Sequence, residues 1–328
     1  MSGPAVRRAG VGLLALAAVV PLFTLSNYRL GILALVSSYA VASLAQNLLA
    51  GYADVPSLGN VVFFAASAYT AGGLMFLKHA NPLIALPLGV VAAGVLGLVI
   101  GLPALRVSGM HLAVVSVALV FVGQELAQQW ESGHAPQGIP VIDPNWLLQE
   151  RNLYVVAIIV VAVTYVATWN VLRSRSGCAI VAVSENPYAG AASGIDAARY
   201  RLLAFVLSGL LTGTAGVIYM YYAPTVLHGA FTLDLSLAFL TMMILGGSGS
   251  LGGSLLGALI IGLLPQLLQL LPSTIGRVNL QQLVNGVYAL LLLLTLRFFP
   301  DGLWTVLAGG LARLVPGKND AGAADGRR

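Results

Sequence analysis

The amino-acid sequence predicts an all-α polytopic membrane protein with about ten transmembrane helices and a broken, glycine-rich segment in each half. Only 8% of its 328 residues are charged and 58% are hydrophobic, whereas a soluble domain carries about 25% charged residues. The mean hydropathy is +0.90. Because so few polar side chains are present to cover a soluble core, the composition excludes an ordinary soluble enzyme, a disordered chain and a nucleic-acid-binding domain.

Ten apolar segments account for the predicted helices. A helix needs about 20 mostly apolar residues to cross the hydrocarbon layer, and continuous apolar runs indicate helices because a span must satisfy its own backbone hydrogen bonds. Segment 57–77 contains Gly59, Gly72 and Gly73, and segment 234–247 is short, so these two are predicted either to span or to re-enter. In chain order the segments are 9–25, 30–50, 57–77, 83–102, 109–127, 152–172, 201–222, 234–247, 251–271 and 280–299.

Lysine and arginine set the orientation because they are enriched in cytoplasmic loops. If the amino terminus is cytoplasmic and all ten segments cross, twelve of the 16 basic residues lie on the cytoplasmic side. The other four are Arg29, Lys78, Arg151 and Arg277. Both termini are therefore predicted to be cytoplasmic. Segment 9–25 is predicted to be an uncleaved helix, since no small-x-small cleavage site follows it.

Two loops between the segments are long. Loop 128–151 is predicted to lie outside, and loop 173–200, which is basic at both ends, inside. Within the second loop, Pro187 followed by several alanines predicts a short helix in 185–194, because proline is tolerated in a first helical turn. Residues 1–315 are predicted to form the transmembrane domain, and the tail 316–328 is predicted to be disordered.

The sequence shows no phosphate-binding loop. Its only Gly-Lys pair, Gly317-Lys318, is followed by Asn319 instead of serine or threonine. The single cysteine, Cys178, excludes an intramolecular disulfide and a multi-cysteine metal site. We therefore expect no cofactor and no metal on this chain.

Coupling to an ion gradient requires ionisable groups inside the membrane. Three acidic residues come near a span, and all three are close to an end: Asp54, Glu125 and Asp234. The four histidines are scattered, with no acidic neighbour at ligand spacing. A carrier driven through its own carboxylates is therefore disfavoured.

Glycines concentrate in two corresponding stretches, 51–60 and 245–253, and each stretch interrupts an apolar region. Paired breaks in the two halves of a membrane protein point to a solute path, because irregular backbone there is tolerated only where it is buried in protein or lines a cavity. Close packing of helices through small residues is the alternative explanation. The two explanations are compatible.

Several short motifs follow one another along the chain: 47–53 with 57–59, 101–106, 138–140, 176–177 with 185–187, 245–252 and 299–303. In this order they resemble the membrane-spanning permease subunits of bacterial ABC importers for branched-chain amino acids, the LivM type. The resemblance covers roughly residues 30–307. Asp54, Val55-Pro56, Asn60 and Ser108 depart from the family pattern close to the expected path, so the substrate stays open while the fold does not.

The resemblance implies a subunit of the bacterial inner membrane that is not itself an enzyme. The expected partners are two cytoplasmic ATPase subunits that bind ATP, a second homologous permease subunit, a periplasmic binding protein docking on loop 128–151, and membrane lipid, with no nucleic acid. The residues expected to couple to an ATPase are Glu185, Asn186, Pro187, Ala191, Ala192 and Gly194. The residues expected to line the path are Tyr52, Ser57, Gly59, Asn60, Tyr69, Gly246, Gly247, Gly249 and Ser250.

Three alternatives remain open at this point. One is a related permease for urea, short amides, nucleosides or simple sugars. The second is a self-sufficient channel or facilitator lined by the glycine-rich stretches, which would need no ATPase and no binding protein. The third is a purely structural membrane scaffold, which would leave segment 185–194 without a role.

Overall fold

The computed structural model describes residues 21, 26–107, 109–141 and 146–269, and beyond them 274–275, 278–279, 286, 290, 297 and 303–304. Apart from isolated positions, the predicted helices 9–25 and 280–299 lie outside the described residues, as does the tail 316–328. Ten α-helices have defined bounds within the described part: α1 Asn27–Gln46, α2 Asn60–Lys78, α3 Pro82–Ala104, α4 Met110–His134, α5 Glu150–Arg173, α6 Arg175–Glu185, α7 Pro187–Ala192, α8 Ala197–Tyr222, α9 Leu233–Gly246 and α10 Leu251–Gln269.

The prediction of a polytopic all-α membrane protein is confirmed. Within the described residues, seven helices are long and apolar enough to cross a membrane: Asn27–Tyr52, Asn60–Lys78, Pro82–Ala104, His111–His134, Glu150–Arg173, Ala197–Tyr222 and His228–Gly246. The weak segment 234–247 reaches this length because a 3-10 turn, His228–Ala230, precedes α9. The apolar helix Leu251–Leu267 is shorter.

Short strands in the connections between helices form antiparallel pairs. Strand β1, Ile139–Pro140, pairs antiparallel with β2, Thr225–Val226, and so joins the connection after α4 to the connection after α8. Strands β3, Thr274–Ile275, and β4, Val278–Asn279, form a second antiparallel pair.

Helix α1 occupies the centre of the bundle. In its most apolar window 89% of the residues are buried, against 17% for α4 and for α5. The outer helices instead expose large apolar side chains, among them Val99 of α3, Phe121 of α4 and Ile159 of α5. Such outward apolar faces are what a protein surrounded by lipid tails presents.

Helices α3 and α8 approach each other through glycines. A Cβ on Gly97 would lie 2.7 Å from the carbonyl oxygen of Phe205, and a Cβ on Gly209 would lie 2.6 Å from that of Ala93. Small residues let two backbones come this close and gain dispersion contacts that lipid cannot replace.

The structure corrects the extent of loop 128–151 and adds one helix. Helix α4 continues to His134, so the connection to α5 spans 135–149 and is shorter than the predicted loop 128–151. The polar run Gln128-Gln129 suggested a loop, yet nothing in it breaks a helix. Helix α6 was not predicted, because its apolar residues form only a short amphipathic face.

Candidate functional site

The first glycine-rich stretch begins where α1 changes its winding. The helix continues as a π-helix over Asn47–Tyr52, and the N–H of Ala53 donates to the carbonyl of Leu48 at 3.2 Å. A π-turn widens a helix and is frequent at functional sites. Here it ends the span at the broken segment that the sequence predicted.

Asn47 joins the two glycine-rich stretches. Its Oδ1 accepts the backbone N–H of Gly249 at 2.9 Å, and its Nδ2 donates to the carbonyl of Ser250 at 2.8 Å and to Oγ of Ser254 at 2.7 Å. The Asn47 side chain is fully buried. Two segments about 200 residues apart in the chain therefore meet through one amide.

Glycines in these stretches are needed for two separate reasons. Gly249 and Gly247 have φ angles of +73° and +119°, a region that other residues enter only with strain. A Cβ on Gly51 would lie 2.8 Å from the backbone nitrogen of Gly249, and one on Gly246 would overlap the backbone of Gly253. The structure thus shows broken backbone and close small-residue packing in the same place.

The link between the π-helix and α2 is held from three other helices. Nε2 of Gln46 donates to the carbonyl of Ser57 at 2.8 Å, and Oγ of Ser116 accepts the N–H of Leu58 at 2.8 Å. The carbonyl of Leu58 accepts from Oγ of Ser236. Ser57 itself accepts the N–H of Gly59 at 3.1 Å. A buried irregular segment needs such partners because it cannot hydrogen-bond to water.

Asn60, at the start of α2, lies in the middle of the bundle. It is fully buried, and its Oδ1 accepts from Oγ of Ser208 at 3.4 Å, while Ser208 also donates to the carbonyl of Ala45 at 3.0 Å. Nδ2 of Asn60 has no partner among the described residues, and the same holds for Oγ1 of Thr212 on α8. A buried polar atom without a partner costs free energy. These polar side chains therefore form an unusual polar region in the interior of the bundle, between α1, α2 and α8.

The structure brings most of the predicted path residues together. Tyr52 interacts with the backbone of Leu251 at the start of α10 and so belongs with the Asn47 junction. Tyr69 is different, because nine residues of α2 separate it from Asn60, or about 13 Å along the helix axis. Four further residues of this region were not predicted from the sequence as path residues: Gln46, Asn47, Ser208 and Ser254. A signal existed for Asn47, since a polar amide inside an apolar span is a functional candidate.

Tyr69, in the middle of α2, belongs to a separate buried polar cluster. Its hydroxyl donates to Oε1 of Glu131. The same Oε1 accepts the backbone N–H of His228 at 2.6 Å, and Oε2 lies 2.5 Å from Nδ1 of His228. Glu131 is only 4% exposed.

This cluster corrects the prediction that Glu131 lies in the external loop 128–151, because α4 extends through Glu131 and buries it. No histidine was expected to have an acidic neighbour at ligand spacing along the chain, and the acidic partner of His228 is 97 positions away. Among the described residues no three histidine, cysteine or acidic side chains form a group that could hold a metal ion.

The segment 185–194 forms the predicted short helix, α7. Oδ1 of Asn186 caps it by accepting the N–H groups of Tyr188 and Ala189 at 3.1 and 3.0 Å. Gly194, at φ +77°, ends it. Every residue of α7 except Gly190 is exposed, and Tyr188 is 89% exposed.

Helix α6 connects this surface to the broken segment. Its Ile180 is 2% exposed and shares one apolar cluster with Leu49 of the π-helix, with Val55 of the link and with Phe205 of α8. Helix α7 rests on α6, since a Cβ on Gly190 would lie 3.4 Å from Val183. A displacement of α7 would therefore be transmitted through α6 to the π-helix.

Comparison with known proteins gives a consistent picture. Residues 28–296 match the family described as "Branched-chain amino acid transport system / permease component". The chain is 27% identical to the high-affinity branched-chain amino acid transport system permease protein LivM of Escherichia coli over 280 residues, which cover 76% of this chain and 66% of that protein. It thus spans just under two thirds of that relative.

Two other relatives have a lower and a higher sequence identity to this chain. A probable branched-chain amino acid transport permease protein LivM of Methanocaldococcus jannaschii is 23% identical, over 81% of this chain and 90% of that protein. The ribose import permease protein RbsC of Haemophilus influenzae is 31% identical over a shorter region, 41% of this chain and 39% of that protein. Because the family match covers most of the chain, the protein belongs to the family of branched-chain amino acid transport system permease components, whose members are transport subunits and not enzymes.

Proposed function

We propose that this protein is the membrane-spanning permease subunit of an ATP-driven importer and that it forms the translocation path for branched-chain or other small neutral amino acids. Family membership supports the class of protein. The observation that carries the proposal within the molecule is the Asn47 junction, where broken segments from both halves meet inside the bundle. Discontinuous segments at such a place are how many transporters build a solute path.

The chemistry of the junction suits passage more than tight retention. Its polar groups are amides, hydroxyls and backbone, which offer hydrogen bonds without net charge. A solute held by a few such bonds can leave again, whereas a strongly charged buried site would trap it. Selectivity then rests largely on a separate binding protein that delivers the solute from the outer face.

The segment 185–194 is the proposed contact with an ATPase subunit. An exposed aromatic such as Tyr188 on a well-capped, otherwise exposed helix is typical of an interaction anchor. Its connection through Ile180 to the π-helix gives ATP-driven motion a path into the membrane. Bulky replacements at Ala191, Ala192 and Gly194 are expected to abolish both assembly and solute-stimulated ATP hydrolysis, and wild-type values for both would contradict the coupling role.

The opposite end of the bundle is the proposed outer face. The connection between α4 and α5 exposes Trp146, at 57%, and Leu148, at 36%, and β1 ties this connection to the one after α8. A periplasmic binding protein that docked here would contact both connections at once. A second, homologous permease subunit is proposed to complete the path, and lipid covers the remaining apolar faces. The bacterial inner membrane, with both termini in the cytoplasm, is the proposed location.

Uptake by proteoliposomes tests the proposal. The chain is reconstituted with candidate ATPase subunits, a binding protein and a second permease from the same genome, and uptake of L-leucine and of D-ribose is followed with and without ATP. We expect ATP-dependent uptake of leucine and none of ribose. Uptake of ribose alone would overturn the substrate class while leaving the permease function intact, an outcome suggested by the similarity to RbsC.

A second experiment reconstitutes the purified chain in liposomes without any partner. A permease subunit without its partners is expected to leave the liposomes impermeable to both solutes. Flux of either solute without ATPase and binding protein would overturn the proposal in favour of a self-sufficient facilitator.

A further inference from the structure

A cavity of about 180 Å³ lies beside the link between the π-helix and α2. Its lining comes from the link, from the end of α3 through the start of α4, and from α8: Asp54, Val55, Pro56, Ala104, Leu105, Val107, Gly109, Leu112, Arg201 and Phe205. A cavity of this size has room for several waters or one small solute. It is smaller than the ~300–1,000 Å³ of sites for drug-sized ligands.

Among the described residues that line the cavity, Asp54 supplies a carboxylate and Arg201 a guanidinium. Neither Asp54 nor Arg201 forms an ion pair with another described residue. Nε of Arg201 is buried and has no hydrogen-bond partner there. A buried donor on a charged group is costly to leave unpaired, and a carboxylate is the acceptor that a guanidinium binds best.

Asp54 holds its place by an unusual backbone conformation. Its φ is +50°, and among the described residues other than glycine only His79 shares a positive φ. Left-handed backbone at such residues stores strain, and strain of this kind collects at binding sites and switches. Asn and Asp tolerate it better than other side chains.

The deep part of the cavity is apolar. Val55, Leu112 and Phe205 line it and are 4%, 5% and 2% exposed. Asp54, in contrast, is exposed and Arg201 half-buried, so the charged groups are at the mouth. This arrangement complements a molecule with a positive and a negative group at one end and an aliphatic group at the other.

We propose that this cavity binds a zwitterionic amino acid with an apolar side chain, its carboxylate on Arg201, its ammonium on Asp54 and its side chain against Val55, Leu112 and Phe205. The inference deepens the proposed function and rests on it for the direction of transport. The cavity shares its apolar cluster with Ile180 of α6, so it is at the end of the path next to the proposed ATPase contact. It is an exit site, which the solute occupies after passing the Asn47 junction.

Other small ligands fit this site less well. A sugar or urea would leave both charges unpaired, and an inorganic anion would bind Arg201 but would be repelled by Asp54. An organic cation would bind Asp54 but would be repelled by Arg201.

Saturation-transfer NMR on the full chain in lipid nanodiscs tests the site. The probes are L-leucine, isopentylamine, which lacks the carboxylate, and 4-methylpentanoate, which lacks the ammonium. The wild type is expected to bind leucine about tenfold more tightly than either analogue, because each analogue loses one charge-assisted contact. Asp54→Asn is expected to weaken the binding of leucine about tenfold but to strengthen that of 4-methylpentanoate, because it removes the repulsion between two carboxylates. Arg201→Gln is expected to weaken leucine similarly but to strengthen isopentylamine, because it removes the repulsion between two cations.

Two control variants make the same changes of charge outside the cavity. Arg199→Gln is two residues from Arg201 at an exposed position of α8, and Glu125→Gln removes an exposed carboxylate of α4. Both are expected to bind leucine as the wild type does. Asp54→Asn retains a residue suited to positive φ, so its effect cannot come from a lost backbone conformation.

The outcomes separate this inference from the proposed function. Wild-type binding of leucine by both cavity variants, or absence of binding of leucine and of every other apolar zwitterion by the wild type, would overturn the site even if the importer transports leucine. The predicted analogue pattern together with ATP-driven uptake of a different solute would overturn the proposed substrate and leave the site standing.

Discussion

The Oδ1 of Asn47 accepts the backbone N–H of Gly249 at 2.9 Å, so an amide in the first half of the chain holds the break in the second half. The same side chain donates to the carbonyl of Ser250 and to Ser254. With both its donor and its acceptor used, Asn47 fixes the distance between the two broken segments. The behaviour of this junction under substitution follows from that geometry.

Asn47→Leu keeps a similar volume and removes all three hydrogen bonds. The N–H of Gly249 and the carbonyl of Ser250 then lose a buried partner, at a cost of about 1–3 kcal/mol each. We expect a clearly lower midpoint of thermal unfolding in detergent and a strong loss of uptake. Asn170→Leu, at an exposed position of α5, is the matched control and should keep both. Equal behaviour of the two variants would refute the role of the junction.

Three glycine substitutions separate backbone conformation from packing. Gly249→Ala has open space for its Cβ but keeps φ at +73°, so we expect a loss of about 1 kcal/mol. Gly246→Ala forces α9 away from the backbone of Gly253 and should cost about 1–3 kcal/mol or more. Gly229→Ala has neither problem and should stay within about 0.5 kcal/mol of the wild type. Thermal unfolding gives the order, and a reversed order of the first two would mean that packing does not limit this site.

Glu131 is expected to be a stabilising residue whose hydrogen bonds matter more than its charge. Glu131→Ala leaves the hydroxyl of Tyr69 and the N–H of His228 without an acceptor, at about 1–3 kcal/mol each. Glu131→Gln retains an oxygen for both donors and should cost about 1 kcal/mol. Glu125→Ala, on the exposed face of the same helix, should be neutral. If Glu131→Gln were as damaging as Glu131→Ala in thermal unfolding, the charge itself would be the important feature.

Tyr188→Ala tests the proposed ATPase contact without disturbing the fold. The side chain is 89% exposed, so its removal should leave the thermal midpoint unchanged. Loss of an aromatic anchor at an interface typically costs about 2 kcal/mol or more, and we expect a corresponding fall in ATPase binding measured by co-purification. Tyr28→Ala, 65% exposed at the opposite end, is the control. Unaltered co-purification of Tyr188→Ala would remove α7 from the interface.

Much of the fold could be predicted from the sequence because lipid imposes strong local rules. A span must be apolar over about 20 residues and must satisfy its own backbone, so eight of the ten predicted segments appear as helices within the described part of the chain. The short helix α7 was also predictable, since Asn186 and Pro187 form a local start signal. The errors lie at helix ends such as His134, where polar residues suit a helix as well as a loop.

The site was predictable only in part. The breaks at 51–60 and 245–253 are visible as glycine runs, because a left-handed or closely approached backbone requires glycine wherever it occurs. That Asn47 spans the two breaks, that Glu131 is buried against Tyr69 and His228, and that Asp54 and Arg201 share a cavity are facts of packing. Each depends on partners tens to hundreds of positions away, brought together by how the helices pack. Local sequence determined which segments enter the membrane and where they break, whereas the tertiary structure decided which polar groups meet there, because a hydrogen bond depends on distance in space and not along the chain.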